Sequence, residues 1–482
     1  MLKKIFLALV ILVLIAFVGG AFALWRLQSY VQSEEFKAKV NRNVSETLGS
    51  PFYLSSLKFN ILSGFDLYGI GIDSPAPNTS PFLRIQKIRL NYALLPLLQR
   101  QCVIRELEFV QPEMSVRFNA DGSSNIPHPK VASSNPQAFP VSVDAARFDL
   151  ILSRFNLTKG RISFFNADNL LLFSTENSEL QGAYESVPRG AQARGNMRIG
   201  KLTLGPSFKL TEVQSSLTYA DHKLVLPDIN GQAYGGKATG VMDVNLGDKE
   251  PSFEMNLTLA GADLAAMMKD FGSDSDWIEG KLQLNQQMQG SLLTPKLATG
   301  KGELEINQMS LAKFQLFQTL SQVLLVPELA EAQFQNVKGT FKIGDQKITF
   351  FNLEAVSELI QLSGAGSVTF EKQTDFDVLL ALHKKLTERM PSEIRKQLTQ
   401  RDENFSTIAF KITGPLNSLK TNLTEKLAQA ALTTAVEQLG GQMSPRLQEK
   451  ANQLLNILKK DSQPTPNSTE TNQTQPTVPA FR

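Results

Sequence analysis

The chain contains very few of the residues from which catalytic and metal sites are usually built. Its 482 residues include a single cysteine, Cys102, and three histidines that lie far apart: His128, His222 and His383. One cysteine excludes an internal disulfide framework and a metal cluster made of cysteines. We interpret Cys102 as a small buried residue and the histidines as solvated or core residues. Because no nucleophile–base pair or metal cluster is evident, we expect no cofactor and no enzymatic activity.

Net charge is also scarce, because 49 basic side chains are balanced by 46 acidic ones and leave the chain at +3. Without a strong positive field, nucleic acid is not an expected partner. Aromatic residues are used unevenly, with 30 phenylalanines against 2 tryptophans and 7 tyrosines. This is a large amount of apolar side chain for a chain that contains so many polar turns.

Only one stretch is long and apolar enough to cross a membrane, and it lies at the N-terminus. Ile5 to Leu24 carries no charge, and about 20 residues rising 1.5 Å each match a bilayer core of roughly 30 Å. Lys3 and Lys4 before it are expected to stay in the cytoplasm, and Trp25 and Arg26 suit the far interface. The pattern predicts a single span with a cytoplasmic N-terminus and a body on the other side.

A cleaved signal peptide is the alternative, since Ala21-Phe22-Ala23 offers a processing site. We favour an anchor because the apolar run is longer than a usual signal core. After it, Ser33 to Leu48 has apolar residues at helical spacing and is followed by Gly49-Ser50-Pro51, which predicts a short helix.

Beyond residue 51 the apolar residues recur at every second position, which is typical of β-strands with one buried face. The clearest example is Phe253 to Leu259, where four apolar side chains alternate with Glu, Asn and Thr. Long helices do not alternate with these strands, so a parallel βαβ fold is not expected. Helical inserts are predicted at Ala262–Phe271, Leu311–Ala332 and Leu386–Leu398. Pro127 to Pro140 is predicted to be an exposed loop.

Several short motifs resemble, in the same order, those of the AsmA family of inner-membrane-anchored periplasmic proteins. They are Tyr92–Leu98, Ala120–Asn125, the Tyr-Gly-Gly hairpin in Ala233–Gly240, Val337–Asp345, and Leu362–Val368. Two positions depart from the family pattern, because Ile126 replaces a usual tryptophan and Gln346 replaces a glycine. These departures leave the subfamily open.

The resemblance implies a mainly β protein in which an N-terminal transmembrane helix is followed by an elongated, curved antiparallel β-sheet. It also implies an apolar concave groove, a location at the bacterial inner membrane with a periplasmic body, and a role in outer-membrane biogenesis and phospholipid transport. The expected segments are a cytoplasmic N-terminus (1–4), a transmembrane helix (5–25), a juxtamembrane helix (26–50), two AsmA-like β regions (51–235 and 236–420), a helical segment (421–460) and a disordered polar tail (461–482).

The groove, if present, should be lined by the apolar face of the clearest strands, which would contact phospholipid acyl chains. The candidates are Phe253, Met255, Leu257, Leu259, Leu282, Leu284, Leu304, Ile306, Phe341, Ile343, Ile348 and Phe350. The same alternation fits the packed core of a closed β-sandwich equally well. In that alternative the protein would be a structural adaptor that binds other envelope proteins.

Overall fold

The structure is a computed structural model, and it describes most of the chain between residues 33 and 426. The described residues are 33–60, 64–75, 81–93, 96, 101–119, 123–127, 149–187, 190–205, 207–247, 251–272, 278–292, 294–311, 314–390, 392–416, 418–423 and 425–426. The predicted span (5–25), the tail (461–482) and most of the 127–140 loop and the 421–460 segment lie outside them. Within the described residues, no helix is long and apolar enough to cross a membrane.

Most of the described chain consists of β-strands. They are β1 (Phe52–Asn60), β2 (Gly64–Asp73), β3 (Pro81–Tyr92), β4 (Gln101–Arg117), β5 (Asp149–Phe165), β6 (Leu171–Val187), β7 (Gly190–Leu204), β8 (Phe208–Ala220), β9 (Lys223–Ala233), β10 (Gly236–Asn245), β11 (Ser252–Asp263), β12 (Glu279–Ser291), β13 (Thr299–Ser310), β14 (Gln333–Gly344), β15 (Lys347–Val356), β16 (Ile360–Thr369), β17 (Gln373–His383), β18 (Thr399–Gln400), β19 (Phe405–Pro415) and β20 (Lys420–Thr421).

The helices of the described residues are short; the first precedes the sheet and the others lie between strands. They are α1 (Glu34–Leu48), α2 (Leu264–Asp270), α3 (Gln315–Leu324), α4 (Lys384–Thr387) and α5 (Ser392–Arg395), with 3-10 turns at Pro295–Leu297 and Pro327–Leu329. The predicted helix before the sheet is therefore confirmed, and Gly49 ends it in the left-handed conformation with φ 65°.

All the strands belong to one long, curved, open sheet, in which each strand pairs with its neighbours in chain order as far as β17. At the C-terminal edge β19 pairs with β17 on one side and with the two-residue strands β18 and β20 on the other. The mainly β fold predicted from the sequence is confirmed. The predicted boundary at 235/236 falls in the β9–β10 turn, and the sheet continues through it.

The sheet departs from the predicted antiparallel arrangement at one pair of strands. β4 and β5 run parallel, so that Gln101 lies opposite Asp149 and Arg117 lies opposite Phe165. A parallel pair needs a connection that returns to the other end of the strand, and residues 118–148 provide it. Alternation of apolar and polar residues is the same in both strand directions, so the sequence pattern contains no signal for this reversal.

One edge of the sheet is covered by α1. The Leu54 N–H donates to Asn41 Oδ1 at 3.0 Å, and the Phe52 N–H donates to Ser45 Oγ at 2.9 Å. Asn41 and Ser45 are one helical turn apart, so they present their oxygens along the same line as the edge of β1. Polar groups that would otherwise be unpaired on an edge strand are thereby satisfied.

Glycines bend the sheet toward one of its two faces. A Cβ added to Gly302 would lie 2.4 Å from the backbone oxygen of Asn285, and one added to Gly366 would lie 2.3 Å from that of Asp375. Contacts this short mean that neighbouring strands approach each other more closely on this side than side chains would allow. The face that carries these glycines, which we call the inner face, is therefore the concave one.

Candidate binding groove

The twelve candidate residues predicted from alternation all lie on the inner face. Leu284 on β12 lies opposite Leu259 on β11 and opposite Leu304 on β13, and further along the sheet Ile343 lies opposite Ile348. Directly opposed residues in a sheet point to the same side. Five strands thus contribute to one continuous apolar surface, as the phase of the sequence pattern predicted.

The candidates differ in how completely they are covered. Five are buried: Phe253, Leu257, Leu259, Leu282 and Phe341. The other seven stay partly exposed: Met255, Leu284, Leu304, Ile306, Ile343, Ile348 and Phe350. Residues in the interior of a sandwich are buried by the opposing sheet, so a partly exposed apolar face is not a completed core.

The inner face carries almost no polar chemistry in the region of the candidates. On the described strands β10 to β16 its positions carry no charged side chain, and Gln286 is the only side chain there with a hydrogen-bonding group. Charged residues occupy the outer face instead, where Arg89 on β3 pairs with Asp66 at 3.3 Å and with Glu108 at 3.1 Å. An apolar surface without charge favours hydrocarbon over polar ligands.

Two further groups on the inner face were not among the candidates. Met242 and Met288 lie on either side of Met255 in register, so three methionines cross adjacent strands. Met288 was missed because the inner positions on either side of it are Gln286 and Gly290, which hide the apolar phase of β12. Methionine is flexible and polarizable, and it adapts to ligands of irregular shape.

Phe376 on β17 was also missed as a groove residue, although its strand was predicted. Its ring lies 5.9 Å from that of Phe350, which lies 6.0 Å from that of Phe341. The three rings form a line across β14, β15 and β17 at spacings typical of favourable aromatic pairs. Only the register of four strands, β14 to β17, brings them together, so no local pattern could have revealed the line.

One end of the inner face is closed by the helical insert between β13 and β14. Leu320 and Leu324 on α3 are fully buried in a cluster with Phe334 of β14 and Leu380 of β17. α3 therefore packs on the sheet, where it covers the ends of these strands. The partly exposed candidates lie farther along the strands.

The second insert, α2, is anchored to the sheet by its N-cap. Asp263 accepts from the Ala266 N–H at 2.9 Å and from Lys281 Nζ at 3.1 Å. The backbone hydrogen bond from Ala266, with help from Lys281, lowers the pKa of Asp263 below its ordinary value. Close by, Tyr234 and Gly235 have positive φ values of 51° and 73°, so the predicted hairpin turn between β9 and β10 is confirmed.

Among the described residues there is no group of three or more His, Cys, Asp or Glu side chains that could hold a metal ion.

The resemblance to a known family can be tested on the N-terminal part of the chain. The sequence model of the AsmA family matches residues 1–188. The family whose model matches this part of the chain is therefore the one that the motifs resemble. No curated protein and no solved structure matches the chain. The AsmA match ends just after β6, so the groove candidates, which begin at Phe253, lie in the part of the sheet beyond it.

Proposed function

We propose that the protein is anchored in the bacterial inner membrane and binds or conducts phospholipid along the inner face of its periplasmic sheet. In this role it would support outer-membrane biogenesis and the lipid balance of the envelope. The proposal assigns no catalytic step to the protein. The match of the AsmA family model to residues 1–188 supports an envelope function.

The observation that carries the proposal is the partly exposed, uncharged inner face between β10 and β16. Apolar side chains such as Leu284 and Ile343 have no second sheet over them in the described part of the chain. Leaving that much apolar surface in water is unfavourable, by about 25 cal/mol per Å². A lipid acyl chain is a ligand that suits this surface, because it is apolar and flexible and is long enough to span several neighbouring strands.

The adaptor alternative required a closed sandwich, in which two sheets cover each other. All described strands form one sheet, and the edge strand β1 does not pair with β19. A single open sheet favours a groove that binds a ligand over a sealed core.

The test compares a charge placed on the inner face with one placed on the outer face of the same strand. Leu284→Asp puts a carboxylate on the partly exposed inner face, and Gln283→Asp puts one on the exposed outer face beside it. Full-length protein is extracted with mild detergent, and phospholipid per protein is measured by mass spectrometry. We expect normal yield from both variants and depleted lipid from Leu284→Asp alone.

Two results would contradict the proposal. Wild-type protein without bound phospholipid would remove its basis, and equal lipid in both variants would show that Leu284 does not contact the ligand. Leu257→Asp serves as a further comparison, because Leu257 is only 5% exposed. Burying an unpaired carboxylate there should cost several kcal/mol and lower the yield of folded protein.

The anchor is the second part of the proposal and rests on Ile5–Leu24 and the two lysines before it. If the N-terminus is cytoplasmic, protease added to spheroplasts should digest the body and leave a short membrane-bound fragment. Protection of the body would refute this topology, and a mature chain that begins at Leu24 would indicate a cleaved signal peptide.

A further inference from the structure

The C-terminal end of α2 contacts two parts of the sheet that are far apart in strand order. Asp270 Oδ1 lies 2.7 Å from Lys209 Nζ at the start of β8. The next residue, Phe271, accepts a hydrogen bond from Lys372 Nζ at 2.8 Å through its backbone oxygen. Lys372 lies in the turn between β16 and β17, so strands β9 to β16 separate the two contacts along the sheet.

A bridge between such distant strands is possible only because the sheet curls toward its inner face. α2 lies on that face, since Leu264 is buried in the cluster that contains Leu380 of β17. Met267 packs both against that cluster and against the one that contains Leu210 of β8. The contacts of Asp270 and Phe271 therefore cross the groove and join its two walls.

The two ends of α2 differ in how firmly they are held. Asp263 and buried Leu264 fix the first turn to the sheet. At the other end, the Lys209 and Asp270 side chains are 43% and 25% exposed, and Lys372 is exposed. Exposed ion pairs contribute little to stability, so this end can be released at small cost while the base stays in place.

The Lys372 contact also suits the chemistry of a helix end. Phe271 follows the last residue of α2, where backbone oxygens have no donor within the helix and carry a partial negative charge. The Gly272 N–H closes the turn by donating to the Lys269 oxygen at 3.0 Å. An ammonium group placed beyond that turn is attracted to the free oxygen, so Lys372 is the partner that such an end requires.

We propose that Asp270 and Phe271, together with Lys209 and Lys372, form a clasp that holds the two walls of the groove together and opens to let phospholipid enter or leave. This inference rests on the proposed function, because it assigns regulation to the same groove. The groove would be narrow where the clasp crosses it, and release of Lys372 would widen it. Passage of lipid would then be limited by opening of the clasp.

The experiment measures opening of the clasp and exchange of lipid separately, on the full-length protein. In a Cys102→Ser background, spin labels at Ala266→Cys and Glu371→Cys, both exposed, report the distance between α2 and the β16–β17 turn by pulsed electron paramagnetic resonance. Lipid exchange is followed with fluorescent phospholipid in vesicles of phosphatidylethanolamine and phosphatidylglycerol. Lys372→Met removes the ammonium group and keeps an unbranched side chain.

Lys372→Met should lengthen and broaden the distribution of distances between the two spin labels. It should also raise the rate of lipid exchange about three- to tenfold, which is the range expected for loss of one partly exposed charged hydrogen bond. Lys201→Met is the matched control, since Lys201 forms a similarly exposed pair at 3.1 Å with Glu176 on the adjacent strand. It should change neither measurement.

Three results would overturn the clasp: an unchanged distance distribution in Lys372→Met, a changed distance with unchanged exchange, or equal effects of Lys201→Met. In each of them wild-type protein could still bind phospholipid, which would leave the proposed function intact. If wild-type protein bound no phospholipid, the proposed function would fail, and a longer distance in Lys372→Met would show that the bridge still opens.

Discussion

A single asparagine in the segment after β4 should contribute more to the stability of the N-terminal half than any other polar side chain near it. Asn125 is 3% exposed. Its Oδ1 accepts from the Arg117 N–H at 2.8 Å, and its Nδ2 donates to Ser74 Oγ at 2.9 Å and to the Ser115 oxygen at 3.0 Å. One side chain therefore joins the end of β4 to the segment that follows β2.

Replacing Asn125 by alanine removes three hydrogen bonds at a site that water does not reach. At about 1 kcal/mol for each bond, Asn125→Ala should lower the free energy of unfolding by about 3 kcal/mol. For a unit of 150 to 250 residues, this corresponds to a fall in melting temperature of about 6–12 °C. The turn itself should remain, because neighbouring Ile126 is still buried against the core.

The assay is thermal unfolding of full-length protein in detergent, followed by far-ultraviolet circular dichroism. Asn119→Ala is the control, because Asn119 lies in the same turn but is exposed. Among the described residues, its side chain hydrogen-bonds only to Ser123, which is also exposed, at 2.8 Å. That variant should change stability by less than about 0.5 kcal/mol. If Asn125→Ala lost no more than Asn119→Ala, the buried hydrogen bonds would not be the source of stability argued above.

Three further predictions concern the ends of the elements. Asp263→Ala should lower the free energy of unfolding by about 1 kcal/mol at neutral pH. The Ala266 N–H lowers the pKa of Asp263, so the stabilisation by the Asp263 carboxylate is present above the ordinary pKa of 3.8 and is lost as pH falls through the folded-state pKa. The melting curves of variant and wild type should therefore converge in acid. Asn41→Ala should cost about 1 kcal/mol and Asn41→Asp, which keeps an acceptor for the Leu54 N–H, should cost less. Truncation after Asp461 should leave the melting transition nearly unchanged, and a loss of several degrees would show that the tail docks.

Much of the strand pattern could be predicted from local alternation. In β11, Phe253 and Leu257 are buried while Glu254 and Asn256 are exposed, as period-two spacing requires. The same spacing identified which residues share the inner face, since side-chain direction within a strand is a local property. The Tyr-Gly-Gly turn was predictable for a similar reason, because it needs residues that accept positive φ.

Features that depend on distant segments could not be predicted in this way. The parallel β4–β5 pair depends on where the chain returns after residue 117, which alternation does not encode. The bridge between Phe271 and Lys372 joins residues 101 positions apart, and neither residue has an unusual neighbourhood in the sequence. The role of Gly364 and Gly366 in bending the sheet emerged only from the close approach of β17.

The two halves of the sheet differ in how far the described residues cover the inner face, and this difference bears on function. In the N-terminal half, α1 packs against β1, and its Val44 and Leu48 are buried in one cluster with apolar residues of β1 to β5. In the C-terminal half, α3 closes one end of the strands and α2 crosses at one place, while Leu304 and Ile343 stay partly exposed between them. Among the described residues, this apolar stretch has no cover and lies beside a weakly held crossing helix. Such an arrangement suits a transient apolar ligand, because a permanent cover would have to be displaced before each binding event.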